Sequence, residues 1–238
     1  MPTSNLDPIP LVIMTVKKCK PKTVLDIGCG FGKYGFLLRE QLDIAEEQKR
    51  SNLLDYSINR SSWQTQIDAV EVYKNYICDI QRYIYNNIFI GNIVHELGKL
   101  NNYDVILLMD VIEHFDKKEG KEILDKLFGK VNKLLVVTTP PFEYIQNNIC
   151  GNELERHRSV WNPNDFRKYK NKKITNINNQ TLCIFISKEP KDISLANLKA
   201  KVSLSDMIKN LFCNILGDKW GTEVIEWIRR IKRLKKRV

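Results

Sequence analysis

VLDIGCGFGKYG, residues 24–35, places four glycines (Gly28, Gly30, Gly32 and Gly35) behind an apolar run interrupted by one acid, Asp26. The segment from Thr23 to Gly30 has the composition of a buried strand entering a glycine turn. Beyond it, the spacing of Tyr34, Leu37, Leu38, Gln41 and Leu42 predicts a helix from Lys33 to about residue 47. Strand, glycine turn and helix in that order bring free backbone amides up to a ligand.

Three ligand-binding loops share this outline. A phosphate-binding P-loop needs four residues between its first glycine and a Gly-Lys-Ser/Thr. Here only three residues separate Gly28 from Gly32, and Lys33 is followed by Tyr34, which has no aliphatic hydroxyl for magnesium. Residues 30–35 do satisfy the GxGxxG of dinucleotide-binding folds, a weak signal by itself. A dinucleotide's phosphates would not need Asp26, whose burial in an apolar strand is costly without a partner. A cationic ligand would supply that partner.

Working outward, the chain alternates strands and helices. Residues 48–65 are polar and weakly periodic, an insertion or a loop with a short helix. QIDAVEVY (66–73) is a strand, and Tyr76, Ile77, Ile80, Tyr83 and Ile84 give 74–87 a helical period. IFIGNI (88–93) and YDVILLMDV (103–111) are strands, the latter ending in Asp110, and 117–129 is a charged amphipathic helix. KLLVVTTP (133–140) is a buried strand stopped by Pro140 and Pro141. A long connection (141–161) follows, then a short helix with Asn162 as cap and Pro163 in its first turn. A hairpin turning at Asn179–Gln180 closes the order. The expectation is an α/β fold: a Rossmann-like, doubly wound, seven-stranded, mostly parallel sheet ending in a β-hairpin over residues 1–188. A basic helical appendage occupies 189–238.

With 238 residues, 43% of them hydrophobic, the chain can bury a sizeable core. Six cysteines (Cys19, Cys29, Cys78, Cys150, Cys183 and Cys213) lie far apart with no CxxC pair. That predicts free thiols in a reducing cytoplasm and neither a zinc knuckle nor a redox motif, and no metal cluster is apparent in the sequence. No run reaches the roughly 20 apolar residues of a membrane span. PLVIMTV near the start is short and lacks a preceding positive charge, against a signal peptide. Of the net charge of +10, seven charges fall in RRIKRLKKR (Arg229–Arg237), so the remainder is only mildly basic.

The spacing Asp26-x-Gly28-x-Gly30-x-Gly32 resembles motif I of the class I methyltransferases, whose cofactor, S-adenosylmethionine, carries a sulfonium and an amino group. VLDIGCGFGKYGFLLRE, DVIEHFDKKEGKEIL, TTPPFEY and GNELERHRSVWNPNDF together resemble a bacterial and archaeal subgroup. Its members are often associated with envelope-glycan or lipid-linked-sugar assembly, and the likeness covers about residues 20–190. It implies a cofactor site of Asp26, Gly28, Cys29, Gly30 and Gly32 at the first strand. Glu71 with Val72 would hold the ribose hydroxyls, Asn92 with Ile93 would lie at the adenine edge, and Asp110 with Val111 beside the methyl donor. Glu71 stands 39 residues after Gly32, against roughly 20 in a nucleotide-binding βαβ unit, and the 48–65 insertion accounts for the excess.

Methyl transfer from a sulfonium is an in-line displacement, so positioning dominates, with a base useful for an O- or N-acceptor. The chain has three histidines. His114 and Glu113 lie just past the strand carrying Asp110, where open parallel sheets bind ligands, and His157 lies in the long connection. These three are the catalytic candidates, although His114 could equally cap the next helix or pack under the cofactor, and His157 sit in a salt-bridged surface turn. His95 is expected on a solvent-facing helix turn without a role. Thr139-Pro140-Pro141-Phe142 resembles the signature of base N-methylating enzymes, but follows the fifth strand rather than the fourth. The expected reaction is O-methylation of a small molecule or glycan. RNA methylation, favoured by the basic tail, and partner binding without chemistry are the alternatives. In the tail, Trp220, Val224, Trp227, Ile228, Ile231 and Leu234 form an apolar stripe beside dense positive charge. Lys219–Val238 could therefore lie on the inner membrane face, dock on the body or a second copy as a dimer, or bind RNA phosphates.

Overall fold

The computed structural model describes residues 4–46, 60–143 and 152–190. The basic tail, Cys150 and Cys213 lie outside the described residues. Helix α1 (Ile9–Cys19) precedes strand β1 (Thr23–Ile27), and α2 (Lys33–Arg39) continues as a π-helical turn over Glu40–Ile44. Then come β2 (Gln66–Glu71), α3 (Asp79–Ile84), β3 (Ile88–Ile90), α4 (Ile93–Glu96), β4 (Tyr103–Met109), α5 (Lys117–Lys130) and β5 (Val131–Thr139), and the hairpin β6 (Lys172–Ile177) and β7 (Thr181–Ser187). The sheet runs β3-β2-β1-β4-β5-β7-β6. β1 to β5 are parallel neighbours, and β7 lies antiparallel to both β5 and β6. This is the predicted Rossmann-like sheet of seven strands.

The period of two in β4 shows why both faces are covered. Val105, Leu107 and Met109 pack with Val12 and Val16 of α1, Leu38 of α2 and Ile84 of α3. Ile106 and Leu108 pack on the other face with Ile93 of α4 and Ile123, Leu124 and Leu127 of α5. The chain leaves β1 for β2 on one side and returns to β4 on the other. The carboxyl ends of β1 and β4 therefore bound the crevice where such sheets bind ligands. PLVIMTV lies within α1, and no helix among the described residues is long and apolar enough to cross a membrane.

Three details differ from the sequence expectation. The helix predicted to reach residue 47 widens into a π-helical turn after Arg39, and its inner face carries an ion pair as well as apolar groups. Arg39 Nη1 meets Asp43 Oδ2 at 2.5 Å, with both side chains buried. Arg39 also donates to the carbonyls of Thr65 and Ile84 and to Asn86 Oδ1, while Asp43 Oδ1 accepts from the amides of Gln64 and Thr65. The helix expected over 74–87 is broken into a 3-10 turn (Lys74–Tyr76) and α3. The hairpin turn is centred on Asn178 and Asn179, whose φ of 52° and 56° suit the left-handed pair of a tight turn, one residue earlier than expected.

Candidate active site

Gly28 and Gly30 set the geometry of the turn after β1. Both have positive φ, 69° and 50°. A Cβ on Gly28 would stand 2.4 Å from Val111 Cγ2, so the ends of β1 and β4 approach through that missing side chain. A Cβ on Gly30 would meet nothing within 4 Å and would project into a cavity of about 480 Å³. That volume lies in the usual range for small-molecule and cofactor sites.

Asp26, Gly28, Cys29, Gly30, Glu71, Val72, Asn92, Ile93, Asp110 and Val111, which the resemblance implies for the cofactor, all line this cavity. Gly32 does not. It caps α2 with φ of 81°, and a Cβ there would stand 3.3 Å from Gln81 and in ordinary contact with Tyr85 at 3.6 Å.

Each acid is held by a different device. Asp26 accepts a 2.6 Å hydrogen bond from the Tyr85 hydroxyl, and the Tyr85 ring fills the space a Gly35 side chain would occupy. Burial, only partly offset by that hydrogen bond, pushes its pKa from 3.8 to about 6. Glu71, at the end of β2, accepts from the amides of Gly30 (2.8 Å) and Tyr73 (2.9 Å); burial raises its pKa also. Asn92 caps α4 by accepting from Val94 N. Asp110 adopts φ of 54°; its Oδ1 accepts from the Thr138 hydroxyl and its Oδ2 from the Asn5 amide.

The raised pKa of Asp26 has a consequence for stability. Between pH 3.8 and about 6 the folded chain holds a proton that the unfolded chain has released. This group's favourable contribution is therefore complete below pH 3.8 and lost as pH rises through about 6. The ligand-free Asp26→Asn variant should exceed the parent in stability at pH 7.5 by on the order of 2–3 kcal/mol, one pKa unit being about 1.4 kcal/mol. The gap should close toward pH 4. Denaturant melts across that range check this, and a gap independent of pH would refute it.

Glu113, His114 and His157 also line the cavity. Glu113 and His114 form a 3-10 turn just beyond β4. Backbone bonds bring His157 to them: the Glu113 carbonyl accepts from the amides of Arg158 (2.8 Å) and Ser159 (3.1 Å). Ser159 Oγ donates to the Phe115 carbonyl, and Trp161 Nε1 donates to Ser159 Oγ. Trp161 is fully buried against Gly120 of α5, with the Lys117 ammonium 4.1 Å from the ring centroid. The two imidazoles meet edge to face, 5.0 Å between centroids. His114 Nδ1 lies 3.3 Å from the Arg156 carbonyl, and burial lowers its pKa, favouring the neutral ring. Glu113 is 2% exposed, and neither carboxyl oxygen has a hydrogen-bond partner among the described residues. Burial and the nearby Asp110 carboxylate push its pKa well up.

His95 is exposed on α4, as expected. Other cavity residues escape sequence reasoning. Tyr34 reads as one more apolar position of α2, yet its hydroxyl is buried at the cavity without a partner among the described residues. Ser4 and Asn5 carry no motif. They reach the cavity because Lys33 Nζ donates to the Ser4 carbonyl and Asn5 bonds to Asp110 and Thr181. Phe31, Phe142 and Leu154 give the cavity's lining half-exposed apolar side chains.

No family model matches the chain, and no curated protein matches it. Among solved structures, the chain is similar to the N-terminal domain of EvdMO1 crystallised in the presence of SAH and D-fucose. The TM-score is 0.51 at 11% identity, covering 78% of this chain and 83% of that one. The same domain with SAH bound gives a TM-score of 0.51 at 11% identity, covering 77% and 81%. An O-methyltransferase family protein from Burkholderia thailandensis has a TM-score of 0.49 at 14% identity over 76% of this chain, which spans 56% of that protein's length. At these identities the likeness carries the fold alone.

Proposed function

We propose that this chain transfers a methyl group from S-adenosylmethionine to a hydroxyl of a small-molecule or glycan acceptor. The observation that carries this reading is one continuous cavity. It joins the strand-end acids of a Rossmann-like cofactor crevice to the Glu113–His114–His157 cluster. The residues present fit the cofactor. Asp26 is a buried carboxylate suited to a cationic group, Glu71 can accept from ribose hydroxyls, and Gly30 leaves open the space a side chain would fill. The SAH in the EvdMO1 crystals supports the cofactor class, and the D-fucose there agrees with a sugar acceptor.

The bound cofactor supplies an activated methyl group. This chain's own residues orient the acceptor and ease the loss of its proton. The Arg156 carbonyl accepts from His114 Nδ1–H, which leaves Nε2 with its lone pair. Phe31, Phe142 and Leu154 offer the acceptor an apolar surface to pack against.

His114→Ala and His157→Ala should each cut turnover at least ~100-fold, the size of a lost proton-handling group, with SAH affinity almost unchanged. Single-turnover assays over nucleotide sugars and lipid-linked sugars, beside SAH calorimetry, test this. Parental turnover in both variants would move the chemistry elsewhere. SAH binding without transfer to any acceptor would favour a partner-binding role.

A further inference from the structure

We propose that Glu113, His114 and His157 form a binding site for one divalent transition-metal ion, which holds the acceptor hydroxyl. The ligand atoms of these three side chains all lie within 4.8 Å of one another. Metal bonds of about 2.1 Å set neighbouring ligand atoms roughly 3 Å apart, so modest side-chain rotation closes the site.

Three further observations point to a cation. First, the Glu113 carboxyl is almost wholly buried and has no hydrogen-bond partner among the described residues, an arrangement that is costly until something fills it. Secondly, the His114–Arg156 carbonyl contact is the outer-shell hydrogen bond that metal-bound imidazoles commonly make; it fixes the ring and presents Nε2 as ligand. Thirdly, the cluster faces a cavity, so positions on the ion would stay open to water or an acceptor oxygen. Asp110 is not included, because both its oxygens already accept hydrogen bonds, from Thr138 and Asn5. Two imidazoles and one carboxylate suit manganese, iron or zinc better than magnesium, which prefers oxygen ligands and retained water.

The site would deepen the methyl-transfer reading, on which its role in the reaction rests. An acceptor hydroxyl on the ion would lose its proton to solvent more readily. Its oxygen lone pair would then form the new C–O bond as the S–CH3 bond breaks, the bonding pair going to sulfur and leaving neutral SAH.

Full-length protein treated with chelator and titrated calorimetrically with Mn2+, then Zn2+, should bind one equivalent of either, and Mg2+ more weakly. Glu113→Gln and His157→Ala should each weaken Mn2+ at least ~10-fold, since even outer-shell losses reach that size. Should a variant fail to fold, the parent still decides, because an ion that binds the folded chain raises its Tm with concentration. An absent Mn2+ and Zn2+ heat signal together with an unmoved parental Tm overturns the site, as does parental Mn2+ affinity in both folded variants. SAH titrated separately distinguishes the two failures. SAH binding without metal removes only the metal site, whereas metal binding without SAH removes the cofactor reading.

Discussion

Trp161→Ala should lower the unfolding free energy by about 3–5 kcal/mol, the range for emptying a buried tryptophan. The indole is fully buried, against Phe166 and directly over Gly120, where even a methyl group would meet it at 2.6 Å. Alanine would remove those contacts, the cation–π contact from Lys117 and the bond to Ser159 Oγ. Ser159 lies two residues beyond His157 and ties that segment to Glu113 and Phe115. The variant should therefore lose turnover by more than its unfolded fraction explains, while SAH binds the folded fraction normally. Urea midpoints and turnover per folded molecule are the measurements. A loss below about 1 kcal/mol would mean the tryptophan is not the anchor described.

Gly30→Val should abolish measurable SAH binding. The residue has φ of 50°, a conformation β-branched side chains avoid, and its missing side chain opens on the cavity rather than on protein. Valine would occupy space assigned to the cofactor, so the loss should be in affinity first, with backbone strain of about 1–2 kcal/mol as the cost in stability. Gly28→Val provides the contrast. Its Cβ would collide with Val111, so that variant should chiefly unfold. Calorimetry with SAH, alongside circular dichroism, separates the two. Parental SAH affinity in folded Gly30→Val would place the cofactor elsewhere.

The part of the cavity lined by the β1 turn and the strand-end polar residues was readable because its signals are local. Glycine turn chemistry, an acid within an apolar strand and polar residues at strand ends follow from neighbours in sequence. The hairpin was readable from two alternating runs around asparagines, though the turn centre shifted by one residue. The part lined by Glu113, His114 and His157 was only partly readable. Glu113 and His114 could be placed from the end of β4, but His157 joins them across 43 residues through the Glu113 carbonyl and Trp161. No spacing rule encodes such a contact, so the proximity of His157 to Glu113 and His114 could not be seen. Arg39 and Asp43 were missed for a different reason: helical periodicity marks which face is inward but not that a charged pair can occupy it.

That pair bears on how the chain can be lengthened. Arg39 and Asp43 grip the backbone at residues 64 and 65, so the path out of α2 and the path into β2 are pinned together before the intervening stretch contributes anything. Once the two ends of a loop are fixed, each doubling of its length adds only about 0.6 kcal/mol of closure entropy. A peptide tag, a fluorophore-bearing segment or a small folded module inserted between these two pinned ends should leave the Gly30–Glu71 hydrogen bond in register. The same tolerance explains how 39 residues can separate Gly32 from Glu71 while both remain in one crossover.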